Sequence, residues 1–440
     1  MNFVKIGKAL RHKRKQLGKH AKELVCENLT QPTISNIERG VPTKIKSITL
    51  YAQQLDFDLS DVDITLESEE QKLNDLNEVL ESISHTIDSG NPAEGLKRLK
   101  QLNISSEHPY ITLVHYLKGR CYFRKGNLKQ SEKHFLSGIR YAENSSEGNI
   151  QNVLCQCYSE LSIIYYKQNN IQKALVYIDI ALNSFDSLSS SYDQNYMLYT
   201  MKFNKAVYLE KQERMEECGM ILKELIKNIQ HIDSGIITAG IYEVLADVNL
   251  KMKNTKEAIY LAEKGRGIAR RNQLHDRNFA LWIVLGSAYL IEGKLIKAEN
   301  CISTALTFEN KLTQGFLASK AYTKLGYLCM LKEEYHESND ALSRALSIAE
   351  KHNNDPLKIK ALIALGKLNS EIRNFKESIF YFEEALPLAK RLGLEEKQYL
   401  IAMELVNCWK EINRERSIHY LELAHRLYMS SQKKELGYDD

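Results

Sequence analysis

The chain has few helix breakers: six prolines in 440 residues, alongside only two tryptophans. No apolar run approaches the roughly 18–20 residues that a membrane helix needs. The N-terminus MNFVKIGKALRHKRKQ is basic and amphipathic, and it lacks the uninterrupted apolar core and small-residue cleavage site of a signal peptide. A cytoplasmic chain that does not enter a membrane is expected. Catalytic signatures are missing as well. There is no glycine-rich phosphate loop, no HExxH and no nucleophile elbow. The twelve histidines are dispersed, and no carboxylate pair stands apart from ordinary solvated helix faces. An enzyme is not expected, and neither is a metal or cofactor. Eight cysteines lie at 26, 121, 155, 157, 218, 301, 329 and 408. No two have zinc-ligand spacing, so they read as small buried residues of a reducing compartment.

What is present is an uneven charge and a helical pattern. Residues 1–60 carry eight lysines and three arginines against five carboxylates, an excess of six, while the whole chain is only +4. The basic excess therefore belongs to one small module, which suits a polyanionic partner. In that module Phe3, Ile6, Leu10 and Leu17 share a stripe over 3–17. Gly18 is placed to stop the helix. A short helix is expected at 20–27. Thr30 is a good N-cap for the next helix, Pro32 sits where its missing N–H costs nothing, and Gly40 ends it. A helix over 45–55 and a turn near 58–62 complete five small helices.

Gly18, the 22-residue step to Gly40 and the run TxxxISNIERG resemble the helix-turn-helix domain of the phage-repressor type, over about residues 3–62. Such a domain enters the major groove by the N-terminal end of its recognition helix, here the one starting at Gln31. The resemblance implies that Gln31, Thr33 and Asn36 read base edges. Thr30, Ser35, Arg39 and Lys44 would hold phosphates. It also implies that Arg14 and Glu38 form a structural ion pair between the first and third helices. The chain departs from the pattern at Lys19-His20-Ala21, where the usual Leu-Thr-Gln cap is absent. That leaves the second helix less well anchored.

From residue 69 onward the chain repeats. Ala206, Ala246, Gly286, Gly326 and Gly366 fall at intervals of 40, as do Cys218, Ala258, Ala298, Ser338 and Ser378. So do Leu222, Ala262, Ile302, Leu342 and Phe382, and a further small set at Gly265, Ala305, Ala345 and Ala385. Small residues at fixed points of two consecutive amphipathic segments let two helices cross closely, and stacked hairpins make a solenoid. Leu285, Gly286, Tyr289, Ala298 and Ala305 resemble the tetratricopeptide repeat, with a step longer than its usual one of about 34 residues. The expected fold is all-α. It comprises a five-helix module over 1–62, a short acidic link at 63–68, about nine helical hairpins over 69–429 and a tail at 430–440.

An array of this kind offers a groove lined by the first helix of each hairpin, and side-chain amides and charges there can hold an extended peptide. Projecting the repeat gives Tyr116, Arg120, Ser159, Asn204, Glu243, Asp247, Asn249, Lys324, Tyr327, Lys367, Asn369 and Asn407 as lining candidates. For each, a solvated polar face or a helix–helix hydrogen bond is the plainer alternative. The whole-chain layout resembles the Rap–Rgg–NprR–PlcR–PrgX family of peptide receptors, its NprR-like branch above all. That resemblance implies a transcription regulator that binds an operator in double-stranded DNA. It would work as a homodimer or higher oligomer and answer to a short signalling peptide. A Rap-like scaffold that grips a response regulator, or a phage receptor controlling lysis and lysogeny, would share this layout.

Overall fold

The computed structural model describes residues 2–143, 151–185 and 192–435. Among them are twenty-one α-helices and no β-sheet. The chain divides into two compact units, Met1–Cys157 and Tyr158–Asp440.

The first unit opens with α1 (Phe3–Gln16), α2 (Gln31–Glu38) and α3 (Ile45–Gln54). Gly18 and Gly40 close α1 and α2 at φ +66° and +73°, a backbone region that favours glycine. Thr30 caps α2, its hydroxyl accepting from the Thr33 N–H at 3.3 Å. Leu10, Leu29, Ile34, Ile48 and Tyr51 are fully buried and form the core of this module. The helix expected at 20–27 is shorter, a single 3-10 turn at Ala21–Leu24. Without a hydroxyl at its start, that turn is held by the Glu23 carboxylate accepting from the His20 N–H at 3.1 Å.

The link expected at 63–68 is a helix. α4 runs unbroken from Val62 to Asp88. Its first turns complete the N-terminal core through Val62 and Leu66. Its last turns bury Leu80, Ile83 and Ile87 against α5 (Pro92–Gln101) and α6 (Ile111–Arg124). One helix thus serves two cores, and Lys5 pairs with Asp63 at 2.8 Å across its start. α7 (Leu128–Glu143) folds back on α6, and the first turns of α8 (Gln151–Lys167) finish the unit.

The second unit continues with α9 (Ile171–Asn183), α10 (Tyr192–Lys211), α11 (Met215–Lys227), α12 (Gly235–Lys251) and α13 (Thr255–Arg271). Then come α14 (His275–Ile291), α15 (Leu295–Leu306), α16 (Leu317–Leu331), α17 (Tyr335–Lys351) and α18 (Asp355–Glu371). It closes with α19 (Phe375–Arg391), α20 (Glu395–Lys410) and α21 (Arg414–Glu435). Paired in order from α4 and α5, the described helices make nine hairpins. The tail expected at 430–440 is helical as far as Glu435, and 436–440 lies outside the described residues.

The periodic small residues have a physical role. A Cβ on Gly366 would stand 2.6 Å from the Phe382 ring; on Gly326, 2.4 Å from Leu342; on Gly119, 2.5 Å from Phe135. In these three hairpins a bulky residue of the second helix fills the space the glycine leaves on the first. A serine four residues before it then ties the helices together. Ser131, Ser338 and Ser378 donate to the carbonyls of Gly119, Gly326 and Gly366 at 2.9, 3.0 and 2.7 Å. These bonds are buried and short, so they fix the register of the crossing as well as its closeness.

Candidate functional site

Two surfaces carry the residues singled out in the sequence. The first is the exposed face of α2. It is aimed by a buried polar lock: the Arg14 guanidinium donates to both Glu38 carboxylate oxygens, at 2.6 and 3.0 Å, and to the Lys19 carbonyl at 2.8 Å. The Tyr51 hydroxyl donates to Glu38 at 2.5 Å. Burial alone would raise the Glu38 pKa, but the bonds from Arg14 and Tyr51 outweigh it and hold the carboxyl below its ordinary range. Burial, and then the Glu38 charge, push the Tyr51 hydroxyl upward. The lock joins α1, α2 and α3 and leaves the opposite side of α2 outward.

On that side Gln31 and Ser35 are exposed, and Thr33 and Asn36 are half-buried. Thr30 and Thr33 share a hydrogen bond between their hydroxyls at 2.8 Å. Asn36 already accepts from Arg39 at 2.5 Å, and Arg39 also reaches the Ser35 carbonyl. Lys44 is exposed at the start of α3.

The second surface is the inner face of the second unit. There the first helices of successive hairpins touch one another directly: α10 with α12, α12 with α14, α14 with α16, α16 with α18. They form the layer on the tighter radius of a curved stack. Charges on this layer act across it. Lys320 on α16 and Lys360 on α18 both feel Lys211 of α10 and Asp247 of α12. Helices several hairpins apart in sequence thus face each other over a shared space.

Burial in this space lowers the pKa of Lys320 and Lys324; Lys211 adds to the effect on Lys320, and Asp247 opposes it on both. Lys360 is brought down to about 8 by burial, helped by the like charges of Lys320, Lys211 and Lys251 and opposed by Asp247. By surface area Lys320 and Lys360 are exposed. The two descriptions differ because area records what one water can touch, whereas charge is stabilised by how much of the surroundings is water.

The carboxylates nearby are already engaged. Glu210 accepts from Lys251 and pairs with Lys211 at 3.3 Å. Asp247 pairs with Lys251 at 3.0 Å, and Glu243 with Arg277 at 2.8 Å. Lys320, Lys324 and Lys360 have no ion pair among the described residues. One repeat back, Ala280 and Val284 stand on α14 at the places of Lys320 and Lys324, Ala280 half-buried and Val284 buried.

The remaining lining candidates divide. Asn204 is half-buried and makes no hydrogen bond among the described residues, and Asn407 is exposed. Tyr327 is half-buried, and burial raises its pKa, with Glu404 adding to the shift. The Ser159 carbonyl accepts from Ser162 at 2.6 Å, leaving its own hydroxyl in a half-buried position. Lys367 pairs with Glu404 at 3.3 Å.

Other candidates are engaged within the fold. Asn249 and Asn369 are buried turn locks: each donates to a carbonyl four residues back, at 2.8 and 2.9 Å, and each accepts from the turn residues Asn254 and Asn374, at 3.2 and 3.3 Å. Their amides are spent inside the hairpin. Arg120 bridges α6 to α4, bonding Asp88 and, at 3.1 Å, Ser84, and it lies over the Tyr116 ring at 5.7 Å. Tyr116 and Arg120 belong to the first unit, whereas the other ten candidates belong to the second. Glu243 is held by Arg277, as above.

The sequence reading passed over Lys211, Lys251, Lys320 and Lys360. The available signal was spacing. Lys320 and Lys360 are one 40-residue step apart, and Lys320 and Lys324 share a helix face. Away from the groove, a cavity of about 510 Å³ between α13, α14 and α15 includes Arg266, Asn278, Trp282 and Phe308. Its aromatic wall is taken, because Arg266 covers Trp282 at 4.0 Å. Among the described residues no helix is long and apolar enough to cross a membrane.

The tetratricopeptide repeat family model matches residues 317–391. Outer dynein arm-docking complex subunit 4 of Mus musculus is 22% identical over 323 residues, covering 67% of this chain and 50% of that protein. The chain thus spans half the length of this curated relative. The apo form of the quorum sensor NprR from B. thuringiensis superposes with a TM-score of 0.58 at 13% identity, over 81% of this chain and 99% of that one. A Rap protein complexed with competence and sporulation factor gives 0.50 at 13% identity, over 72% and 98%. At these identities the likeness is one of fold, and the fold is an all-helical solenoid of tetratricopeptide-type hairpins.

Proposed function

We propose that this chain is a DNA-binding transcription regulator whose state is set by a short peptide held on the inner face of its repeat array. The observation that carries the reading is the pairing, in one chain, of a basic module that presents α2 outward with an inner face of the repeats on which Lys320, Lys324 and Lys360 make no ion pair among the described residues. A basic helix-turn-helix module suits a phosphate backbone, and Gln31, Thr33 and Asn36 have the chemistry for base edges. Thr30, Ser35, Arg39 and Lys44 would set the register on phosphates. In the groove Asn204, Tyr327 and Asn407 offer polar groups for a peptide backbone. The fold likeness to a quorum sensor and to a protein solved with a signalling factor supports a peptide as the ligand.

One such module buries a small interface on DNA, so a two-fold operator bound by a homodimer fits best. α4, which shares a core with the DNA-binding module and another with the first hairpin, would carry a change in that hairpin to the module.

The test is selection of duplexes from a random-sequence pool by the full chain. A recurrent motif whose enrichment vanishes with Gln31→Ala plus Asn36→Ala supports the reading. Salt-sensitive binding with no motif contradicts it, and capture of a response regulator in its place would favour the scaffold role.

A further inference from the structure

We propose that the cavity between α13, α14 and α15 binds a small carboxylic acid that carries an N–H or O–H donor beside an apolar body. The site is separate from the groove and does not rest on the peptide reading. Asn278 and Trp282 share one face of α14 and line the cavity. Each stands two residues from Ala280, about 200° round the helix from it at 3.6 residues per turn. The cavity therefore lies on the side of α14 away from the inner layer.

Three observations carry the inference. The first is an orphaned polar group. Asn278 is only 6% exposed, and its Oδ1 is buried with no hydrogen-bond partner among the described residues. A buried carbonyl without a donor costs stability, and a ligand N–H or O–H is the partner it lacks.

The second is a pair of arginines without a counter-ion. Arg266 and Arg270 line the cavity and make no ion pair among the described residues. Arg266 stands 4.0 Å over the Trp282 ring. Such a contact uses the flat face of a guanidinium and leaves the N–H donors at its rim, which meet a carboxylate in matched pairs. Glu263 lines the same cavity, so two arginines against one glutamate leave a single positive charge. One carboxylate balances it, whereas a phosphate dianion does not.

The third is a departure from the repeat. At the place of Arg266, later repeats hold Leu306, Leu346 and Leu386, which pack against apolar clusters. An arginine there forgoes that packing and brings a charge to the cavity edge. Phe308 and His275, their ring centres 6.3 Å apart, supply a wall for an apolar body. The volume of about 510 Å³ is of the size that small ligands fill.

Trp282 is one of two tryptophans in the chain, so the full chain carrying Trp409→Phe reports on the cavity by its emission. It is titrated with hippurate, mandelate and N-acetyl-leucine, each beside its primary amide, and with phenyl phosphate. A saturable change is expected with at least one acid and not with its amide. Calorimetry then reads the variants, because losing Arg266 alters the Trp282 emission itself. Arg266→Gln plus Arg270→Gln should weaken the acid about tenfold or more. Should that pair not fold, the exposed Arg270→Gln is read alone. Asn278→Ala should weaken the acid about fivefold or more without lowering the melting temperature, since the orphaned carbonyl goes with it.

No saturable response to any of the acids, equal binding of acid and amide, or tighter binding of phenyl phosphate overturns the proposal. An Asn278→Ala variant with unchanged affinity, or with a loss of affinity matched by a lower melting temperature, assigns the asparagine to the fold and overturns it as well.

Discussion

Arg14 and Glu38, twenty-four residues apart, meet in a two-pronged ion pair whose third side is closed by the Tyr51 hydroxyl. The Arg14 and Glu38 side chains are only 13% and 10% exposed. Removing one partner leaves the other buried and unpaired, which costs more than the intact pair contributes.

Arg14→Ala should therefore destabilise the N-terminal module by about 3 kcal/mol, with little effect on the repeats. Hydrogen exchange of α1–α3 in the full chain measures it. The pH dependence has a definite sign. Glu38 is held below its ordinary carboxyl pKa, so its contribution is complete above the unfolded value and is lost as pH falls through the folded one. Acid should loosen this module, and Glu38→Gln should remove that part of the response.

Gly366→Ala should cost about 2 kcal/mol, the scale of an overpacked core. The new methyl would stand 2.6 Å from the ring of Phe382, which is fully buried. Thermal melting reads the loss. Pairing the change with Phe382→Leu should recover part of it, because the serine tie from Ser378 remains.

Asn369→Ala should cost about 1 kcal/mol of stability through the lost turn bonds, and it should leave peptide affinity unchanged. Asn249→Ala should behave alike, since its bonds are the same three repeats earlier. Asn204→Ala should do the reverse: stability holds, and affinity falls by about 1 kcal/mol if its amide serves the ligand. Melting and titration calorimetry on the three variants separate the roles.

Lys360 loses its charge as pH rises through about 8. Burial sets that value together with Lys320, Lys211 and Lys251, and Asp247 opposes them. A lysine lowered in the fold is costly while charged, so stability rises with pH between the folded value and the unfolded one of 10.5. Thermal melting at pH 7 and pH 9 checks the trend. Lys360→Gln should flatten it.

Much of this was legible because the repeat is built on steric necessity. Gly326 and Leu342, or Gly366 and Phe382, recur at fixed spacing because each bulky side chain fills the room its glycine leaves. The Arg14–Glu38 pair was legible through the resemblance of the module. α4 was misread because DITLES is acidic and polar, although Val62 and Leu66 before Leu76, Leu80, Ile83 and Ile87 keep helical spacing throughout. Asn249 and Asn369 were misassigned because a polar residue on a lining helix and a turn lock look alike in sequence. The second asparagine five positions on, Asn254 and Asn374, was the distinguishing mark. Lys320 and Lys360 were missed because their isolation depends on which carboxylates other lysines have already claimed, and only three-dimensional placement reveals that.

The central claim is that peptide and DNA binding are coupled. The most direct measurement is the affinity of the full chain for a duplex recovered from the random-sequence pool, at one fixed salt concentration. It is made with and without a saturating heptapeptide that the chain retains from a random peptide library. The account predicts a change of about fivefold or more, the usual range of coupling between two sites. Equal affinity in both conditions, with the peptide demonstrably bound, would contradict it.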